Sequence, residues 1–232
     1  MLRSVKLALT AASAMALVSQ AQAAPSNNPP PTGPVILDLD GTPVPHTYTS
    51  YSTSFVAANA TTNLSFAFRE DQAFLELDDV VVTNTTTGSP ANLVANGDFE
   101  LGPIGAQAPT GWTYLNQLGA EFGGTVNSVC GVGGSNCYYD GAVQAYDAIA
   151  QALATTPGDT YTVAFQLDDN GTLATFSRLS TNGNIVDTGG NGIDLLVYAG
   201  ALPTPVPEPA SLALLGSALL GLGLIRRCRE AR

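Results

Sequence analysis

The sequence predicts an all-β fold, a sandwich of antiparallel sheets, on three observations. Apolar and polar residues alternate with period two in short runs, Gly, Asn, Thr and Pro separate those runs, and few stretches of the body are long and periodic enough for a helix. Alternation is visible in Tyr48 to Val56, in Leu64-Ser65-Phe66-Ala67-Phe68, in Phe74 to Val82 and in Tyr161 to Leu167. Ala142 to Ala154 fits a strand, a bulge and a second strand no worse than a helix. Two ends stand outside this pattern.

The first end opens Met1-Leu2-Arg3-Ser4-Val5-Lys6, continues with an apolar run from Leu7 to Val18 and reaches Ala21-Gln22-Ala23 before Ala24-Pro25. A basic start, a short apolar core and a small-residue site describe a secretory signal peptide over residues 1–23, cut after Ala23. Residues 24–34 form a Pro/Asn/Ser linker without apolar period, expected to be mobile.

Charge narrows the partners. Of the eight Lys and Arg residues, the body between leader and tail keeps Arg69 and Arg178, against seventeen of the nineteen acids, a net charge of −15. Such a body repels nucleic acid and anionic lipid, and acidic side chains on an exported protein suit divalent cations. Abundant Val, Leu, Phe and Tyr in alternating runs argue that it folds.

Three cysteines are present. Cys228 belongs to the tail, whereas Cys130 and Cys137 enclose the flexible Gly131-Val132-Gly133-Gly134-Ser135-Asn136, so a disulfide is expected outside the cytoplasm. Zinc would need two further ligands, and His46 is the sole histidine.

The second end, residues 203–232, has three parts. Pro205-Val206-Pro207-Glu208-Pro209 is extended by its prolines, Ala210 to Ile225 is sixteen uncharged residues of Leu, Ala, Gly, Ser and Ile, and Arg226-Arg227-Cys228-Arg229 follows. At about 1.5 Å per residue the apolar run makes a helix of roughly 24 Å, near the lower limit for a single membrane span. The Arg cluster would stay cytoplasmic. This order resembles the PEP-CTERM sorting signal of Gram-negative bacteria, with Val206, Pro207, Glu208 and Pro209 as the recognition motif and Arg226, Arg227 and Arg229 as the basic cluster. The same residues could otherwise be read as an ordinary tail anchor. The resemblance implies exosortase as a processing partner, export by the general secretory route and transient anchoring in the inner membrane. It also implies a final place at the cell surface or in an exopolysaccharide or biofilm matrix.

Within the body, Thr62 to Arg69 followed by Leu77 to Val82 matches Thr160 to Gln166 followed by Ile193 to Tyr198. The second copy is preceded by Asn92-Leu93-Val94-Ala95-Asn96-Gly97-Asp98-Phe99-Glu100 and Gly111-Trp112, with no counterpart before Ile36. The expectation is therefore a partial sandwich unit over residues 35–90 and a complete one over residues 91–202. The Asn-Leu-Val-x-Asn-Gly-x-Phe-Glu opening, the Gly-Trp, the Pro-Gly-Asp-Thr-Tyr turn into a Val-Ala-Phe strand and the closing Asp194 strand resemble the galactose-binding-like jelly roll of many carbohydrate-binding modules. That resemblance implies eight strands whose first and last meet at one edge, often around structural calcium. Asp194-Leu195 stands where many relatives have a double aspartate.

On that topology Glu100 and Asp194 come together, with Asp98 or the Gly97 carbonyl adding a ligand for Ca2+. The alternative is that Asp98 and Glu100 face solvent beside a turn. Asp168-Asp169-Asn170-Gly171 lacks the twelfth-position Glu of an EF-hand loop and reads as a plain turn. For polysaccharide, an aromatic platform with nearby polar groups points to Tyr114, Tyr138, Tyr139 and Tyr146, with Asn116, Asp140, Gln144 and Asp147 close in sequence. The same tyrosines also suit half-buried strand positions, and Trp112 suits the core. Catalysis has little support, because a nucleophilic triad lacks its base and only spatial separation could reveal a hydrolytic carboxylate pair. The expectation is a non-enzymatic exported module that binds polysaccharide, with a purely structural surface protein as the alternative and a polysaccharide-active enzyme third.

Overall fold

The computed structural model of the chain describes residues 31–39, 42, 44–70, 74–116, 120, 123–142, 145–170, 179–181, 184–186 and 194–204. The expected signal peptide and the tail from residue 205 lie outside the described residues. Among the described residues, no helix is long and apolar enough to cross a membrane.

Strands in chain order are β1 (Val35–Asp38), β2 (Thr49–Val56), β3 (Thr61–Arg69), β4 (Leu75–Asn84), β5 (Thr113–Leu115), β6 (Thr125–Ser128), β7 (Asn136–Asp140), β8 (Asp147–Ala154), β9 (Thr160–Asp169), β10 (Leu179–Thr181), β11 (Asn184–Val186) and β12 (Asp194–Gly200). They form two five-stranded sheets, β1-β12-β3-β8-β5 and β2-β9-β4-β7-β6, and a small β10-β11 pair; every pairing is antiparallel. The fold is all-β and sandwich-like, and the ambiguous stretch after Ala142 resolves into the strand β8.

Period two explains which residues meet in the middle. In β9, Tyr161, Val163, Phe165 and Leu167 are buried while the intervening Thr160, Thr162, Ala164, Gln166 and Asp168 are partly exposed. They pack with Leu64, Phe66 and Phe68 of β3, Leu75, Leu77 and Val82 of β4, Ile149 and Leu153 of β8, and Leu195 and Val197 of β12. Burying each such side chain is worth about 1.5–3 kcal/mol. Trp112 joins this core, tilted against Phe66 and Phe99, and donates its indole N–H to the Asn96 carbonyl at 3.1 Å. The first sheet is also covered outside, by a second cluster of Ala67, Tyr146, Ala148, Leu196 and Tyr198.

The sequence division at residue 91 is not a division of the sandwich. Strands from residues 35–90 and 91–202 are interleaved in both five-stranded sheets, with β12 between β1 and β3 and β9 between β2 and β4. The internal match pairs β3 with β9 and β4 with β12, elements in opposite sheets, so it reflects likeness between the sheets and not two successive units. The opening segment Asn92 to Glu100 is a side-chain-clamped turn. The Asn92 Oδ1 accepts the Val82 and Val94 N–H groups, the Gln151 side chain bonds both the N–H and the C=O of Ala95, and Asn96 and Phe99 take φ of 54° and 52°. Positive φ breaks an extended run. Gly97 is required here, because an added Cβ would overlap the Val80 carbonyl while Val80 N–H donates to Gly97 O at 2.9 Å.

The last residues of the Pro-rich linker are held, contrary to the expectation of mobility. Thr32 and Thr204 exchange backbone hydrogen bonds of 2.8 and 3.0 Å, and the buried Tyr198 hydroxyl donates to Pro31 O at 2.7 Å. The chain therefore enters and leaves the sandwich at one place.

Candidate functional site

The outer face of the second sheet gathers polar and aromatic side chains in one row. Glu76 of β4 stands opposite Tyr139 of β7 on one side and Asp168 of β9 on the other, and Tyr48, just before β2, extends the row. The row follows from alternation: Leu75, Leu77 and Leu167 face the core, which turns Glu76 and Asp168 outward. Tyr48 donates to Glu76 Oε2 at 3.2 Å, and Asn170 Nδ2 donates to Glu76 Oε1 at 2.6 Å. Phe74 stacks on Tyr139 at 4.4 Å with 16° between planes and is 39% exposed. His46 Nδ1 lies 2.6 Å from the Asp169 carbonyl.

Burial first, then the neighbouring Glu76 and Asp78 carboxylates, hold the Tyr48 hydroxyl far above its usual range, so it remains a donor. Burial and then Glu76 likewise raise Tyr139, and burial followed by Glu76 and Asp169 raises Asp168. Glu76 itself is buried beneath Tyr48 and Asn170, so the face presents the Phe74 and Tyr139 rings beside the partly exposed Asp168 carboxylate and the Asn170 amide, and no cationic side chain is part of the row. It suits a neutral polyhydroxylated ligand, whose hydroxyls donate to the carboxylate while a C–H face meets the rings.

The Cys130–Cys137 disulfide borders this face, with an S–S bond of 2.05 Å. Two carboxylates seat its loop. Asp78 Oδ2 accepts Val132 N–H at 2.7 Å, while Glu100 Oε1 accepts Ser135 and Asn136 N–H at 2.6 and 2.9 Å. Both sulfurs lie within 4.8 Å of a Glu76 oxygen, and among the described residues this is the one group of three metal-ligating side chains. With the sulfurs bonded to each other, it does not offer thiolates to a metal.

The residues expected to bind sugar do not share a surface. Tyr139 is on the row, but Tyr138, one position earlier, points between the sheets against Phe68 and Phe99. Tyr146 lies in the outer cluster of the first sheet, and Asp140 and Asp147 are buried. Tyr114 is half-buried on the edge strand β5, with the exposed Asn116 just beyond it, and Gln144 lies outside the described residues. Phe74, Glu76, Asp168, Tyr48 and Asn170 went unselected; the acids alternating with leucine in Leu75-Glu76-Leu77-Asp78 were the available signal.

The topological premise of the expected calcium site is also not met. Strand β12 has β1 on one edge and β3 on the other, with Asp194 opposite Arg69, so the segment ending at Glu100 is not its sheet neighbour. Glu100 instead holds the disulfide loop, and Asp98 Oδ1 accepts the Glu100 N–H at a long 3.5 Å.

Thr204, clasped to Thr32 at the sandwich, immediately precedes Pro205. Residues 205–227 match the PEP-CTERM protein-sorting motif. The chain carries an exosortase sorting signal. The match takes in Val206, Pro207, Glu208, Pro209, the apolar run, Arg226 and Arg227, with Arg229 two residues beyond it. A PEP-CTERM tail implies export, a membrane-anchored stage and processing by exosortase. No curated protein and no solved structure matches the chain.

Proposed function

We propose that this exosortase-sorted protein displays a galactose-binding-like jelly roll at the cell surface or in the extracellular matrix. There it binds polysaccharide without turning it over. The observation that carries the reading is the Tyr139-Glu76-Asp168-Tyr48 row with Phe74 stacked at its edge. Rings with adjacent hydrogen-bond acceptors are what a pyranose ring needs, and the low cation content disfavours anionic polymers. The sorting tail supports a matrix address for the same module.

The test is retention of the protein on immobilised exopolysaccharide fractions and on a glycan array. Tyr139→Ala and Phe74→Ala should each weaken retention at least tenfold, and Glu76→Gln, whose amide can accept from only one of Tyr48 and Asn170, should weaken it at a stability cost of about 1 kcal/mol. Retention unchanged in all three variants would reject this face and favour a purely structural role. Release of reducing sugar from any fraction would revive an enzymatic one.

A further inference from the structure

Between the sheets, where β7 hands over to β8, two carboxyl groups face each other. Asp140 ends β7 and Asp147 opens β8, each on the inward side with Tyr138 and Ile149 respectively, and each is 0% exposed. Half of their accepting capacity is filled. Asp140 Oδ1 takes the Ala142 N–H at 2.8 Å and Asp147 Oδ2 takes the Gly124 N–H at 3.0 Å. Asp140 Oδ2 and Asp147 Oδ1 are buried without a donor, and the buried Tyr114 hydroxyl beside Asp147 makes no well-formed hydrogen bond. The backbone of Gly123 and Gly124 passes so close that added Cβ atoms would collide with Tyr114 and Asp147 at one residue and Asp140 at the other. Asp140, Asp147 and the Tyr114 hydroxyl thus meet at one spot walled by β5, β7 and β8, the two carboxyls within hydrogen-bonding reach of each other and the hydroxyl within reach of Asp147.

Two carboxyls removed from water must either take up a proton or hold a counter-charge, since an unpaired buried charge costs several kcal/mol or more. The body's composition withholds the usual one, as Lys6 is the sole lysine and lies in the leader. Arg69 alternates on β3 with Ala67, which belongs to the outer cluster, and His46 sits on Asp169 of β9, across β4 from Asp140. Arg178 lies outside the described residues.

We propose that a divalent cation binds at this spot, with Asp140 Oδ2 and Asp147 Oδ1 as anionic ligands and the Tyr114 hydroxyl oxygen as a neutral one. An all-oxygen donor set suits calcium or magnesium over zinc, and extracellular calcium modules work with dissociation constants of about 10⁻⁴–10⁻³ M. The site differs from the Asp98, Glu100 and Asp194 set in residues and in place. Its ion would join β7 of one sheet to β8 and β5 of the other, clamping the sandwich at that end.

The test uses the full chain and two readouts, with calcium and terbium as probes. The melting temperature should rise with the logarithm of calcium above the dissociation constant, and chelator should reverse it. Terbium should give luminescence excited through the adjacent tyrosines and be displaced by calcium. Both responses should vanish in Asp140→Asn and Asp147→Asn and persist in Glu100→Gln. If the Asn variants do not fold, the parent chain still decides: no calcium shift and no terbium signal overturns the proposal. So does a calcium response that is lost in Glu100→Gln but kept in Asp147→Asn. A parent that ignores calcium, and whose gain in melting temperature from pH 7.5 to pH 5 shrinks in Asp140→Asn, would mean that the pair shares a proton instead, and this also overturns the metal site.

Discussion

Asp78→Asn should remove a pH dependence that the fold builds into the second sheet. Asp78 is 1% exposed, and burial raises its pKa from 3.8 to about 6 against the opposing hydrogen bonds from Val132 and Asp79 N–H, at 2.7 Å each. The raised value means that the folded state keeps a proton which the unfolded chain has already released between pH 4 and 6. Stability therefore falls as pH rises through that window, the penalty being absent below about pH 4 and complete above about pH 6. At 1.36 kcal/mol for each pKa step, the distance from 3.8 to about 6 is worth about 3 kcal/mol. Asparagine cannot ionise, and its single acceptor can serve only one of the two amides, a pH-independent loss of about 1 kcal/mol. Urea unfolding at pH steps from 4 to 7.5, followed by the fluorescence of the buried Trp112, the chain's only tryptophan, gives the stability difference between variant and parent. That difference should move toward the variant by about 3 kcal/mol across the range, and subtracting the two proteins cancels the other raised acids. A difference constant to within about 1 kcal/mol would show that the Asp78 environment does not disfavour its charge as argued.

The remaining predictions are of different kinds. Replacing both Cys130 and Cys137 by Ser should lower stability by about 2.5 kcal/mol, the loop-entropy value for a ring this small, and loosen the loop without unfolding the sandwich; urea melts and proteolysis between 130 and 137 report it. Gly97→Ala should lose more than about 2 kcal/mol, because its Cβ collides with the Val80 carbonyl and breaks that backbone bridge; a variant melting with the parent would contradict the packing. Glu208→Ala should leave export intact and change the fractionation of the protein or the mass of its mature C-terminus, and an unaltered fractionation and mass would remove Glu208 from the sorting signal.

Much of the class was legible in residue order because its causes are local. Alternation specifies strands, six intervening residues let Cys130 and Cys137 meet, and a Pro-Glu-Pro, apolar, basic order is read along the chain without reference to the rest of it. The tertiary structure alone decided which strands became neighbours, because pairing is non-local: β12 closes on β1 and β3 from far along the chain, and β4 on β9. That choice dispersed the expected site residues. Period two separates Tyr138 from Tyr139 but does not say which of them faces the core, and in β3, buried on both sides, even the contrast between faces is lost. It was the arrangement of sheets that sent Asp140 and Asp147 inward together, set Glu76 between Tyr139 and Asp168, and gave Glu100 the amides of the disulfide loop. A carboxylate's role depends on what stands opposite it, and cross-strand partners distant in sequence leave no local signal.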